Sequence, residues 1–282
     1  MDSIAGVAQL LEEERVSKGT TLLAAGEPIE HSYFLVEGLV GLYKDGERVG
    51  ELVPPQAVAA IGVLARISGP PGDIVADEDC VLLCMNGAVL RRRLEDDFEL
   101  FSNTMRSITR LILEQRRGLP FDPANPFDSD PGVWPERPLD FVDRFRWFWE
   151  SMPLRDASLD AMGELARQYK EVRLDAGTRL WELGDHSDHF FAIVAGAVEV
   201  ENGSGKGRVG AGHTIGFFDT IGDLPRGTTA TAATDLVGLH ATAAQLFDVL
   251  EDQPDLAMAL LGLQAQIAVD HLWNSRFLIG TN

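Results

Sequence analysis

The stretch 176–203, AGTRLWELGDHSDHFFAIVAGAVEVENG, decides how this chain folds, because an earlier stretch repeats its pattern. Gly177, Gly184 and Gly196 recur as Gly19, Gly26 and Gly38, with gaps of 7 and 12 residues in both copies and an offset of 158. The apolar residues agree as well. Tyr33, Phe34, Leu35 and Val36 match Phe191, Ala192, Ile193 and Val194, while Val40 and Leu42 match Val198 and Val200. Three glycines and a strand repeated at one offset mark a domain present twice. Thr178, Leu180, Val198 and Val200 alternate with polar neighbours, as half-buried strands do. The glycines fall where strands turn, since lack of a Cβ permits positive φ. Short strands at regular spacing predict a small antiparallel sandwich or jelly roll.

Each copy then changes period. Phe98, Phe101, Met105, Ile108 and Ile112 are spaced 3 and 4 apart, as are Leu256, Leu260, Leu263 and Ile267. The expected fold class is therefore α+β, mainly β: two jelly-roll-like β-rolls, each flanked by helices. The expected division is a first domain over 1–117, a linker over 118–140 and a second domain over 141–282. Residues 117–140 hold six prolines, which block both helix and central strand. Phe121, Phe127 and Trp134 read as anchors that pin this linker onto a domain. Further on, Leu154, Leu159, Met162 and Leu165 predict a helix with Ser158 as its N-cap. Phe141, Phe145, Trp147, Phe148 and Trp149 read as domain core, the alternative being an interface.

The pattern G-x6-G-x11-G, with aromatic and aliphatic residues before the third glycine, resembles the cyclic nucleotide-binding domain. That family includes the catabolite activator protein and the regulatory subunits of cyclic-AMP-dependent protein kinase. The resemblance runs over 6–116 and 142–275. The family's phosphate-binding cassette reads F-G-E-L-A-L…P-R-A-A-T, and IGFFDTIGDLPRGTTAT, residues 215–231, is similar to it without a gap. Gly216 takes the glycine position and Pro225-Arg226 the P-R position. The resemblance implies that Arg226 holds the phosphate of a cyclic nucleotide, with Gly216, Phe217, Phe218, Gly227, Thr228 and Thr229 around it. A planar guanidinium suits that task, holding an anionic phosphate through two parallel hydrogen bonds. Gly227 lacks the side chain that some members use there. Phe217 departs from the pattern, because the family places there a glutamate that accepts the ribose 2′-hydroxyl proton. Losing a hydrogen bond to a charged group costs about 1.5–3 kcal/mol, which is roughly ten- to hundredfold in affinity. The alternative for Arg226 is a loop arginine paired with Asp219 or Asp223.

The first copy carries AIGVLARISGPPGDIVADEDC at 60–80. Matching Ile61-Gly62 to Ile215-Gly216, and Ala76 and Asp79 to Ala232 and Asp235, makes this loop two residues shorter. Val63 then stands at the glutamate position and Pro70 opposite Arg226. Arg66 is its one cation, among Asp73, Asp77, Glu78 and Asp79, so a phosphate would be repelled. Any nucleotide is expected in the second copy alone.

A net charge of −20 and a pI near 4.6 argue against a duplex-binding surface, and no helix-turn-helix follows the second copy. Cys80 and Cys84, four apart on one strand, lie about 13 Å apart at ~3.3 Å per residue, too far for a disulfide. Free thiols and an N-terminus without a leader pattern predict a reducing, cytoplasmic location. No run of 18 apolar residues predicts a membrane span. Among the six histidines only His186 and His189 are close, and with Asp185 and Asp188 they read as a polar turn rather than a metal site. No nucleophile elbow, P-loop or paired-cysteine motif is present, so neither enzyme activity nor a cofactor is expected. Two functions compete: a regulatory sensor whose second roll binds an anionic nucleotide, and an interaction or scaffold module without ligand. The seam Leu256, Leu260, Leu263 and Ile267 is expected to carry a homodimer or another protein partner, helped by exposed Leu272 and Trp273.

Overall fold

The computed structural model describes residues 10–65, 67, 69–116, 132–151 and 158–274. The first roll runs β1 (Glu12–Val16), β2 (Thr21–Leu23), β3 (His31–Glu37), β4 (Val40–Lys44), β5 (Glu47–Leu52), β6 (Gln56–Val58), α1 (Ala60–Ala65), β7 (Asp73–Ala76) and β8 (Cys80–Asn86). Helices α2 (Gly87–Asp96) and α3 (Phe98–Arg116) follow. Then come α4 (Phe141–Ser151) and α5 (Leu159–Gln168), and the second roll repeats the order. It is β9 (Lys170–Leu174), β10 (Arg179–Trp181), β11 (His189–Ala195), β12 (Ala197–Asn202), β13 (Gly205–Gly210), β14 (Thr214–Ile215), α6 (Phe217–Gly222), β15 (Thr229–Ala232) and β16 (Leu236–Thr242). Helices α7 (Ala243–Asp252) and α8 (Pro254–Asn274) end it. The α+β class with two β-rolls is as expected.

Both rolls have the same sheets. The first has β1-β8-β3-β6 and β2-β7-β4-β5; the second has β9-β16-β11-β14 and β10-β15-β12-β13. Every pairing is antiparallel. The repeat reaches single hydrogen bonds. Gly19 N–H donates to Ala76 O at 2.7 Å, and Gly177 N–H to Ala232 O at 2.8 Å. Lys18 N–H donates to Asp79 Oδ1 and Ala176 N–H to Asp235 Oδ1. All six glycines of the pattern have positive φ. The need at Gly196 is double, for a Cβ there would lie 2.2 Å from Asp235 O.

The cassette register differs from the expected one. Tyr33 pairs with Val58 as Phe191 pairs with Ile215. Ala59, at φ 64, therefore takes the place of Gly216, at φ 73, and α1 matches α6 residue for residue. Gly62 is interior to α1, where a Cβ would lie 2.5 Å from Ile29 Cδ1, so close packing rather than a turn explains it. Ala60, not Val63, stands at the position of Phe217. The first cassette is one residue longer than the second, not two shorter. A further extra residue is Val49, bulged where the β4–β5 register slips between Leu42 and Tyr43. Pro70 does stand opposite Arg226: its carbonyl accepts from Gly26 N–H as Arg226 O accepts from Gly184 N–H, both at 2.9 Å. Arg66 lies outside the described residues.

The chain divides into two compact units, residues 1–108 with 261–282, and residues 109–260. The division falls within α3 and α8 rather than in the proline-rich segment. Inside the first unit, Val269 and Trp273 join the core of the roll with Leu35, Val40, Leu42 and Leu82, and Leu272 packs against it. Trp273 is 7% exposed, so the expectation of a bare apolar end is overturned. Leu256 and Leu260 are buried and Leu263 and Ile267 half-buried. The spacing seen in the sequence reports burial inside the chain, and this seam is not a free surface. Pro254–Trp273 is long and apolar enough to cross a membrane, with mean hydropathy 1.2, but more than half of it is buried and it packs as a core helix.

In the second unit, Ser158 caps α5 by accepting from Ala161 N–H at 3.1 Å. The segment before α4 is pinned as expected at its described end. Arg173 donates to Pro135 O and Arg137 O and lies over the Trp134 ring. Phe121, Phe127 and Leu154 lie outside the described residues. The aromatic group of α4 divides: Phe148 is buried, while Phe141 and Trp149 are exposed. Cys80 and Cys84 share β8 and are free.

Gly184 and Gly196 both have φ +90, but a Cβ at Gly184 meets nothing within 4 Å. Gly184→Ala is expected to cost about 1–2 kcal/mol from backbone conformation alone. Gly196→Ala should cost about 1–3 kcal/mol more from the clash with Asp235 O, read from urea unfolding of the second roll. Trp273→Ala should destabilise the first unit by about 3–5 kcal/mol. Equal stability of variant and parent would contradict the packing of α8 described above.

Candidate functional site in the second roll

The cassette helix α6 starts at Gly216, whose left-handed backbone turns the chain out of β14. It ends at Asp223, also left-handed, whose N–H donates to Asp219 O and Thr220 O. Leu224 and Pro225 then lead back to Arg226. The Arg226 backbone is held on both sides, its N–H donating to Asp185 O at 2.8 Å and its O accepting from Gly184 N–H. The second glycine of the repeat thus fixes the arginine in place.

The Arg226 side chain turns inward and is 1% exposed. Its guanidinium carbon lies over the Trp181 ring, 3.9 Å from the centroid. Nη1 donates to Gly216 O and Thr220 Oγ1, both at 3.3 Å, and Nη2 donates to His189 O. Thr220 Oγ1 also donates to His189 O at 2.8 Å. One cation thereby ties the first turn of α6 to the start of β11. Burial presses its pKa below the ordinary arginine value, while the charges of Asp219, Asp188 and Asp185 push the other way. Asp219 is buried as well, and burial raises its pKa against the Gly227 N–H bond and the Arg226 charge. The arginine is thus neither a surface loop residue nor hydrogen-bonded to Asp219 or Asp223. Two donors in this cluster, Arg226 Nε and Trp181 Nε1, are buried without a hydrogen-bond partner. Each such group costs about 1–3 kcal/mol.

The structure brings Gly216 and Arg226 together. It sends Phe217 and Phe218 elsewhere. Phe217 packs edge-on against Phe190 at 5.2 Å and against Phe218 at 5.6 Å. Phe190 continues to Tyr169 at 5.8 Å, Tyr169 to Phe148 at 4.9 Å and Phe148 to Trp147 at 5.2 Å, all edge-on. At the other end, Arg116 lies over the Phe218 ring at 5.1 Å, and Arg110 Nε donates to Gly222 O at 2.7 Å. Gly227 is exposed and Thr228 half-buried. Thr229 Oγ1 accepts from Leu183 N–H at 3.0 Å, a bond internal to the roll.

Sequence reasoning missed Trp181, Thr220 and the His189 carbonyl. One signal was available for the first: Trp181 aligns with Leu23 in the repeat, so a large ring replaces a smaller side chain beside the cassette. Around it Phe191, Ile193, Val198, Val200 and Ile215 complete a packed core. The chain turns at Leu183 and Gly184, His186 follows in irregular chain, and His189 opens β11 with its Nδ1 on Asp188 Oδ1. Among the described residues no group of three or more His, Cys, Asp or Glu is arranged to hold a metal ion.

Two antiparallel β-rolls of one topology, each with a short helix between its sixth and seventh strands and an inward arginine in the second, define a tandem β-roll fold. The model of the cyclic nucleotide-binding domain matches residues 13–97 and 171–253, more than half of the chain, and the chain belongs to that family. The cAMP-dependent protein kinase regulatory subunit of Yarrowia lipolytica is 25% identical over 235 residues, 82% of this chain and 52% of that protein. That of Eremothecium gossypii is 26% identical over 241 residues, 83% of this chain and 43% of that protein. The chain thus spans about half the length of the curated relatives it matches. Among solved structures, the regulatory domain of Toxoplasma gondii PKA with cAMP is 14% identical with a TM-score of 0.34, covering 94% of this chain and 89% of that one.

Arg226→Ala is expected to destabilise the second roll by about 3–5 kcal/mol, because carbonyls and nearby carboxylates lose a buried cation. Arg226→Lys should recover little, as an ammonium has no planar fork to span three acceptors. A loss below about 1 kcal/mol in either variant, the scale of an exposed ion pair, would show that the guanidinium is not buried as described.

Proposed function

We propose that the chain is a regulatory, non-enzymatic module in which the second roll senses an anionic nucleotide and the first roll does not. One observation supports this above the others: Arg226 is a buried cation with an unpartnered Nε, next to a second unpartnered donor at Trp181 Nε1. A phosphate carries several acceptor oxygens for such donors and would replace carbonyl dipoles by a full opposite charge. Pro70 offers neither charge nor N–H in the first roll. A protein partner belongs to the same proposal, since the curated relatives are by name subunits of a kinase.

A second function, an interaction module without ligand, is favoured by Phe217. Its ring is engaged with Phe190 and Phe218, and Trp181 fills the space beneath the arginine. Calorimetric titration with cAMP, cGMP and a cyclic dinucleotide separates the two. The sensor function predicts one site per chain, lost in Arg226→Lys. Phe217→Glu should tighten cAMP binding roughly ten- to hundredfold by restoring a charged hydrogen-bond acceptor. Two nucleotides per chain, or none bound by parent and Phe217→Glu alike, would overturn it.

A further inference from the structure

The first roll has a cavity of about 360 Å³, lined among others by Leu23, Glu27, Glu30, His31 and Tyr33. The repeat gives each of these a counterpart: Trp181, Asp185, Asp188, His189 and Phe191. Of those, Trp181, His189, Asp185 and Asp188 act on the Arg226 guanidinium in the second roll, and Phe191 stacks on Trp181. There the cation lies on the Trp181 ring, bonds to His189 O and feels the charges of Asp185 and Asp188. The first roll keeps two carboxylates, at Glu27 and Glu30, and two rings, at His31 and Tyr33, 6.4 Å apart. Among the described residues it lacks the occupant. Pro70 replaces Arg226 and Leu23 replaces Trp181, so the two side chains that fill this place in the second roll are missing. Space, acidic walls and aromatic surface remain at one point.

We propose that this cavity of the first roll takes a guanidinium group supplied by another molecule, in the position that Arg226 occupies in the second roll. An anion is disfavoured there by Glu27 and Glu30. A planar, weakly hydrated cation is the best match to a carboxylate-lined wall with ring faces, since it pairs with carboxylates and stacks on aromatics at once. A compact ammonium makes the first contact but not the second.

The test is a calorimetric and nuclear magnetic resonance titration of the full chain with agmatine, a free guanidinium cation, and with a short capped peptide holding a single arginine. Saturable binding at millimolar agmatine, with shifts at His31 and Tyr33, is expected. A clearly tighter fit of the peptide assigns the guanidinium to a protein side chain, and equal affinity assigns it to a small molecule. Leu23→Trp with Pro70→Arg, which fills the cavity as the second roll fills its own, should abolish binding. Glu27→Gln with Glu30→Gln changes only exposed side chains and serves if the filled variant does not fold; it should weaken binding at least about tenfold. Absence of binding by both probes, binding that survives these variants, or displacement of agmatine by cAMP would each overturn the proposal. None of these outcomes depends on whether a nucleotide enters the second roll.

Discussion

A guanidinium taken out of water must find acceptors for its donors or destabilise whatever buries it. In the second roll that constraint falls on Arg226, and the neighbouring structure is arranged to meet it. The Trp181 ring covers one face. The carbonyls of Gly216 and His189 and the hydroxyl of Thr220 take its donors. Those three groups sit on α6 and β11, so the charge sets where the helix begins relative to the strand. Left-handed backbone at Gly216 is part of the same solution: a Cβ there would lie 2.4 Å from Arg226 Nη1 and 3.0 Å from the Trp181 ring. Glycine is required by both conformation and space. Among what is left over are the Nε–H of Arg226 and the Nε1–H of Trp181. The cluster is thus nearly, but not fully, self-satisfied.

The two rolls show how far such a site can change while the backbone stays. Strand order, the paired hydrogen bonds of Gly19 and Gly177, and the carbonyl role shared by Pro70 and Arg226 are identical. Those bonds use only peptide groups, which every residue carries, proline lacking the N–H alone. Side chains at the same places differ in size and charge: Leu23 for Trp181, Ala60 for Phe217, Val63 for Thr220, Pro70 for Arg226. The fold is held by one set of interactions and the site by another, so the first survives divergence of the second.

That separation explains what was legible in the sequence. Gly196 could be read because its backbone and the nearness of Asp235 O both demand glycine, and such a demand leaves a mark on one residue. Ser158 was legible as a cap for the same local reason. The start of the first cassette was not, because Ala59 adopts positive φ without being glycine, while Gly62 is glycine for packing. The terminal seam was misread because a spacing of 3 and 4 is the same for burial in a roll and for contact with a partner. Its destination is a contact between residues far apart in sequence, such as Trp273 with Gly72, and no local pattern encodes that. The inward turn of Arg226 has the same character, for its acceptors come from β11 and α6 and its platform from β10.

Phe217 gives the site a property that an arginine alone does not. Where a glutamate would face a ligand, a ring joins the series Trp147, Phe148, Tyr169, Phe190, Phe217 and Phe218. Edge-on pairs contribute about 0.5–1.5 kcal/mol each beyond the area they bury. The cassette helix is therefore fastened to α4 and to the end of α5 by protein contacts that need no ligand. A ligand shifts such an arrangement only by the difference in its affinity for two states. An anion on Arg226 would act on Gly216 and Thr220, at the first turn of α6, and on His189 of β11, and the ring of Phe217 stands on that same turn. Movement of the arginine toward a phosphate would draw on the bonds that place this turn, and with it the contact of Phe217 on Phe190. In this roll the buried charge and the aromatic series meet at one turn of helix, the charge on its inner side and the series at its edge.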